Sequence, residues 1–398
     1  MNSASGRYTA SSSCGCDLCI VTMIHHVVFI IIVNGSVKSL FILSEISCIY
    51  SGSFHSGNQI CHKDVVKLKY LPKHCHSFVF DGVICDENYN IVPNEFHENL
   101  GGYYLRNLVV YSFFRCNLKN LKPLIQFEDK SHPVFLFYSH GTLGDWANAF
   151  FLGDFKQEAQ KVKDFIGEYN VKGLILKGIE TSELNPNENF YEYFSAYISA
   201  IKSLNPDLTI GLYLSAANLA ISVNEGNESI FWFDFPKING IVDFYLIEFI
   251  TFNECCIDLL RLGITPYTST IPSIMTLEKF GVAFKKSNID KQKVFFEFLI
   301  SPISIPDEMI HFEYCQLSYN EYCENKEDNH AKWCIDNNDI LYQKGKFAKQ
   351  FSKGFVARAI DLVDRDNKCK CGNKYITFTM LLKGYNGDEQ LTCKAFDG

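Results

Sequence analysis

The sequence predicts an α/β protein, a closed (β/α)8 TIM barrel with an insertion before strand eight and a cysteine-containing C-terminal tail. Two observations carry that prediction. Eight apolar, strand-like runs alternate with helical or loop-like segments, and the 398 residues exceed the about 250 that such a barrel needs. A doubly wound open sheet would show the same alternation, but the count of eight favours closure.

The runs are 44–51, 76–84, 132–139, 171–180, 208–215, 241–251, 294–301 and 354–362, and several are almost continuously apolar, as strands buried on both faces should be. Two of the intervening helices are readable. Residues 154–169 place Phe155, Ala159, Val162, Phe165, Ile166 and Tyr169 on one face, with Asp154 available to cap the start. Residues 189–204 align Phe190, Phe194, Tyr197, Ile198, Ile201 and Leu204, and Asn205-Pro206 stops the helix. The stretch 302–353, rich in cysteine and charge, is an insertion, and 364–398 is a tail carrying Cys369, Cys371 and Cys393.

Residues 1–39 read as an N-terminal extension, with 40–398 forming the barrel. Within the extension, Val27 to Val33 is an unbroken apolar run followed by Asn34-Gly35-Ser36. It is shorter than the about 20 residues that span a bilayer but suits a signal-peptide core. Signal peptides begin at the start methionine, so Met23, four residues upstream, competes with Met1 as the true start; an internal membrane anchor is the alternative. Sixteen cysteines without a repeated metal-ligand spacing favour disulfides in an oxidising compartment, and hence secretion. A formal net charge of −8 offers no basic face to nucleic acid or anionic membranes. No metal site or cofactor is expected: Cys14, Cys16 and Cys19 lack a fourth ligand, and no glycine-rich phosphate loop or nucleophile elbow is present.

Five ordered segments resemble glycoside hydrolase family 18, the chitinases and chitinase-like proteins, over roughly residues 44 to 371. Cys48-Ile49-Tyr50-Ser51 is similar to the family's first-strand Cys-Tyr-Tyr, and Cys75-His76-Ser77 to its second-strand Cys-Thr-His. Pro133 to Gly141 resembles the third-strand Lys-x-x-x-Ser-x-Gly-Gly, keeping Ser139 and Gly141. Leu317 to Cys323 is similar to Ser-Tyr-x-Glu-Ile-Cys, and Gly354 to Asp364 with Cys369 resembles strand eight and its trailing cysteine. The resemblance implies disulfides Cys48 to Cys75 and Cys323 to Cys369. Cys371 with Cys393 and Cys61 with Cys85 are guesses from proximity, and one of the adjacent Cys255 and Cys256 is expected to be buried and reduced.

The family's catalytic strand reads Asp-Gly-x-Asp-x-Asp-x-Glu. Here Gly173 holds register, and the acidic positions are Lys172, Ile175, Lys177 and Ile179. Shifting by one residue makes Glu180 the terminal acid but puts Leu176 and Gly178 at the aspartates; adjacent strand residues face opposite sides, so Glu180 would turn away from the pocket. The sixth-strand Met-x-Tyr-Asp becomes Glu248-Phe249-Ile250-Thr251, and the strand-eight tryptophan falls at Ala357 or Arg358. Substrate-assisted hydrolysis needs the glutamic acid as proton donor and neighbouring groups to orient the acetamido nucleophile, so the resemblance implies a barrel without catalytic residues. Ser139, His140, Trp146, Glu180, Glu248, Thr251, Arg358 and Asp361 remain as candidate ligand-binding residues at the barrel's C-terminal end, or as satisfied structural polar groups.

The expected protein is a secreted, catalytically inactive chitinase-like pseudoenzyme. It would bind chitin, another N-acetylglucosamine-containing glycan, or a protein partner, without spanning a membrane or binding nucleic acid. The alternatives are a divergent active glycosidase using Glu180 or Glu248, and a structural extracellular protein.

Overall fold

The computed structural model describes residues 42–50, 55–56, 59–60, 66–93, 121–127, 132–140, 146–179, 188–225, 233–305, 317–325 and 331–397. The apolar run 27–33 and Glu180 lie outside them. Eight parallel strands form the barrel: β1 Ile46–Tyr50, β2 Ser77–Cys85, β3 Val134–His140, β4 Gly173–Leu176, β5 Thr209–Ser215, β6 Phe244–Glu248, β7 Val294–Leu299 and β8 Gly354–Arg358. Each pairs with its neighbours in chain order, and β1 pairs with both β2 and β8, which closes the ring. All eight predicted runs became barrel strands. Ile91–Pro93 adds a short antiparallel strand along β2.

Alternation along each strand sorts the core into two layers. The inward residues Ile49, Val79, Phe135, Phe137, Ile175, Tyr213, Phe244, Leu246, Phe295 and Val356 fill the barrel lumen. Opposite-parity residues such as Phe78, Leu136, Leu174, Leu212, Tyr245 and Phe296 join the helices in a second, larger cluster. Large and small residues interlock in the lumen: a Cβ on Gly173 would stand 2.5 Å from the Phe135 ring and 2.7 Å from the Thr209 carbonyl.

The principal helices are α1 Trp146–Leu152, α2 Phe155–Tyr169, α3 Glu188–Leu204, α4 Ala216–Glu225, α5 Leu277–Lys286, α6 Asn338–Phe351 and α7 Ile376–Asn386. Asp154 caps α2 as its sequence suggested, accepting from the Lys156 and Gln157 amides at 3.0 and 3.1 Å. Between β7 and β8 lie an antiparallel ribbon, Ile303–Ser304 with Trp333–Cys334, a short helix Tyr319–Glu324 closed by a Ser318–Glu321 capping box, and α6. In the tail, α7 contributes Phe378, Leu381 and Tyr385 to the strand–helix core. Among the described residues no helix is long and apolar enough to cross a membrane.

Four disulfides join described residues: Cys48–Cys75, Cys255–Cys334, Cys323–Cys369 and Cys371–Cys393. The Cys61–Cys85 guess fails, because Cys85 is a buried free thiol on the outward face of β2. Of the adjacent pair, Cys255 is bridged and Cys256 is reduced, half-buried rather than buried.

Candidate functional site

The C-terminal end of the lumen holds a compact group of charges. Strand parity brings Lys177, Tyr213, Glu248, Glu297 and Arg358 inward from five consecutive strand positions around the ring, β4 to β8. Arg358 is 2% exposed and Glu297 fully buried; the guanidinium donates to Glu297 Oε1 at 2.9 Å, and the Tyr213 hydroxyl donates to the same oxygen at 3.3 Å. Glu297 Oε2 has no hydrogen-bond partner among the described residues. Lys177 Nζ lies 5.2 Å from the centre of the Phe137 ring and 5.4 Å from that of Tyr213, and Arg358 stands 5.9 Å from Phe137.

Burial pushes the Glu297 carboxyl up to about 7, with the neighbouring Glu248 pushing the same way and Arg358 and Lys177 pulling back. Glu248 is tied to its own loop instead: its Oε2 accepts from the Ile250 amide at 2.5 Å and the Thr251 amide at 3.0 Å, and its Oε1 accepts from the Thr251 hydroxyl. Ser215 Oγ lies 3.3 Å from that hydroxyl. This carboxylate therefore clamps the loop after β6.

The predicted candidates separate into distinct places. Lys177, Glu248, Thr251 and Arg358 share the lumen mouth, and Ser139 has the inward parity of β3. Arg358, not Ala357, faces the lumen, since Ala357 packs in the strand–helix layer. His140 lies on the opposite face of β3, where its Nε2 sits 2.9 Å from Glu158 Oε1. Trp146 is no rim platform: it opens α1, is 0% exposed, and its indole donates to the Lys177 carbonyl at 2.8 Å. Asp361 is buried in a helical turn after β8; burial raises the pKa of the Tyr50 phenol and the nearby Asp361 charge adds to it. Ile175 faces the lumen and Lys172 bonds Asn170 Oδ1 at the strand's other end.

Ile179 requires a correction. Gly178 adopts φ +87°, which ends the alternation, and Ile179 packs into the strand–helix layer instead of facing the mouth. Among the described residues the inward position nearest that end of β4 is Lys177. Two lumen residues escaped the sequence reading, Tyr213 and Glu297. The signal for Glu297 was present as a lone acid inside Val294-Phe295-Phe296-Glu297-Phe298-Leu299, on the parity of the lumen residue Phe295.

No known family pattern and no curated protein sequence matches this chain. Solved structures do. Catalytic domain 2 of the Ostrinia furnacalis Group II chitinase is 12% identical, with a TM-score of 0.59 over 89% of this chain and 99% of that one. The Ostrinia furnacalis Group IV chitinase is 13% identical, with a TM-score of 0.61 over 86% of this chain and 100% of its own. The fold is that of the family 18 chitinases. Human YKL-39, described as a pseudo-chitinase with retained chitooligosaccharide binding properties, matches at 13% identity and a TM-score of 0.57, covering 86% and 100% of the two chains. This chitinase fold thus occurs both in chitinases and in a pseudo-chitinase.

Proposed function

We propose that this chitinase-fold protein is a secreted, non-hydrolytic binding protein whose ligand is a chitin-type, N-acetylglucosamine-containing oligosaccharide. The observation that carries the proposal is the Arg358–Glu297 pair with Lys177 and Tyr213 in the lumen mouth. These side chains set a buried charged network at the end of the lumen, in which Arg358 and Tyr213 both donate to Glu297. The described inward positions of β4 offer Ile175 and Lys177, neither of which can deliver a proton from a carboxyl group. Of the two alternative acids, Glu248 is engaged by three donors of its own loop and Glu180 lies outside the described residues, while the buried Glu297 carboxyl is held by Arg358 and Tyr213. Secretion is supported by the four disulfides and by the signal-like run 27–33.

A protein partner is the second reading, and the described tryptophans favour it. Trp146 and Trp333 are both buried, so neither indole is available for a sugar ring to stack on, and the third, Trp232, lies outside the described residues. Calorimetric titration of the purified protein with a chitin hexasaccharide separates the two readings. Saturable heat is the result expected for the glycan reading. A flat titration of folded protein would overturn it in favour of the protein partner.

A further inference from the structure

A second polar cluster lies outside the lumen, sealed between β2, β3 and α2. Cys85 and His140 are cross-strand neighbours at the ends of β2 and β3, and α2 lays Glu158 over both. All three are buried, and one ligand atom from each lies within 4.8 Å of the other two. Glu158 Oε1 accepts from the Tyr138 hydroxyl at 2.6 Å and the Tyr197 hydroxyl at 2.5 Å, and faces His140 Nε2 at 2.9 Å. Its Oε2 has no hydrogen-bond partner among the described residues. The rings of Trp146, Tyr138 and Tyr197 surround the imidazole at 4.6, 5.8 and 6.2 Å.

A carboxylate in an apolar layer with one oxygen unused is costly unless a cation meets it. We propose that Cys85, His140 and Glu158 supply three of the four ligands of a structural site for a divalent cation of borderline softness, zinc first. Thiolate, imidazole and carboxylate are the donors this class of ion takes, and the charges balance: one thiolate and one carboxylate neutralise the doubly charged ion inside the apolar layer. Ligand atoms around tetrahedral zinc stand roughly 3.3 to 3.8 Å apart, a spacing that the three groups reach by small side-chain shifts, since His140 Nε2 and Glu158 Oε1 already stand 2.9 Å apart and no pair exceeds 4.8 Å. Binding displaces the thiol proton to solvent. It also requires His140 to present an unprotonated Nε2, with any ring proton held on Nδ1. Burial and Glu158 push the Cys85 thiol up to about 12, so the metal-free site holds a thiol and the metal must compete with that proton. The tyrosine hydroxyls bonded to Glu158 would act as outer partners that orient it. Because the cluster is closed to solvent, loading accompanies folding.

The test uses the full chain refolded with its disulfides intact in Co²⁺ and separately in Zn²⁺, then gel-filtered. The expected result is about one metal per chain at this site, a thiolate-to-cobalt charge-transfer band in the near ultraviolet, and tighter binding at higher pH. The band disappears in Cys85→Ser and persists in Cys256→Ser, which also separates this site from Cys14, Cys16 and Cys19. Glu158→Gln weakens cobalt binding at least tenfold and serves as the second variant if Cys85→Ser does not fold. A folded wild type without the band, or a band unchanged in Cys85→Ser or Glu158→Gln, would overturn the proposal.

Discussion

Glu297→Gln should make this protein more stable at pH 8, although it removes one partner of a buried ion pair. The folded carboxyl titrates near 7, against an ordinary value of 4.5, because its burial in the lumen outweighs the attraction of Arg358 and Lys177. In the unfolded chain the same group ionises near its ordinary value. Between pH 4.5 and about 7 the folded state therefore holds the extra proton, and wild-type stability falls as pH rises through that window, levelling off above it. At 1.36 kcal/mol per pH unit the loss is about 3 kcal/mol. Glutamine has the shape of the protonated acid, keeps an oxygen for Arg358 and Tyr213, and ionises in neither state. The stability difference between variant and wild type should therefore grow by about 3 kcal/mol in the variant's favour from pH 4 to pH 8. Urea midpoints of both proteins at pH 4, 6 and 8 measure it, and groups that titrate alike in the two cancel in the difference. A difference that stays flat, or that favours wild type at pH 8, would show that the ion pair outweighs burial and refute the reasoning.

Three further predictions concern packing and the cysteines. Gly173→Val should destabilise the barrel by about 3 kcal/mol or more, read from the denaturant midpoint, because the new side chain must displace the Phe135 ring and the Thr209 carbonyl. Replacing Cys323 and Cys369 together by serine should lower stability by about 2 to 4 kcal/mol in thermal or urea unfolding, since their bridge ties the segment before α6 to the start of the tail. In native protein an alkylating reagent followed by peptide mapping should label Cys256 within minutes and leave Cys85 unmodified until denaturant is added, because Cys85 is buried and its thiol pKa is raised.

The strands were legible because each barrel strand is buried on both faces and so reads as a continuous apolar run. That same continuity concealed Glu297, a single acid among five apolar neighbours. His140 and Trp146 were placed at the rim by their distance along the chain from β3, whereas counting parity from Phe135 and Phe137 puts His140 on the outer face. Glu158 sits within the apolar stripe of α2, between Phe155 and Val162, and its burial there becomes intelligible only once Tyr138, His140 and Tyr197 converge on it. The turn at Gly178 had no local sequence signal beyond the glycine itself, and it decided that Lys177, not Ile179, is the last described lumen-facing residue of β4. Two of the disulfides followed from the family resemblance, while Cys255–Cys334, a link across 79 residues, depends on the tertiary fold.

The central claim is that the lumen mouth holds a charge network where a chitinase would hold its proton donor. It is tested most directly by incubating the purified protein with a chitin hexasaccharide from pH 4 to pH 8 and resolving the products by mass spectrometry beside an active chitinase. The account predicts intact hexasaccharide at every pH. Shorter oligosaccharides that vanish in Glu180→Gln, Glu248→Gln or Glu297→Gln would contradict it and make the lumen mouth a working active site.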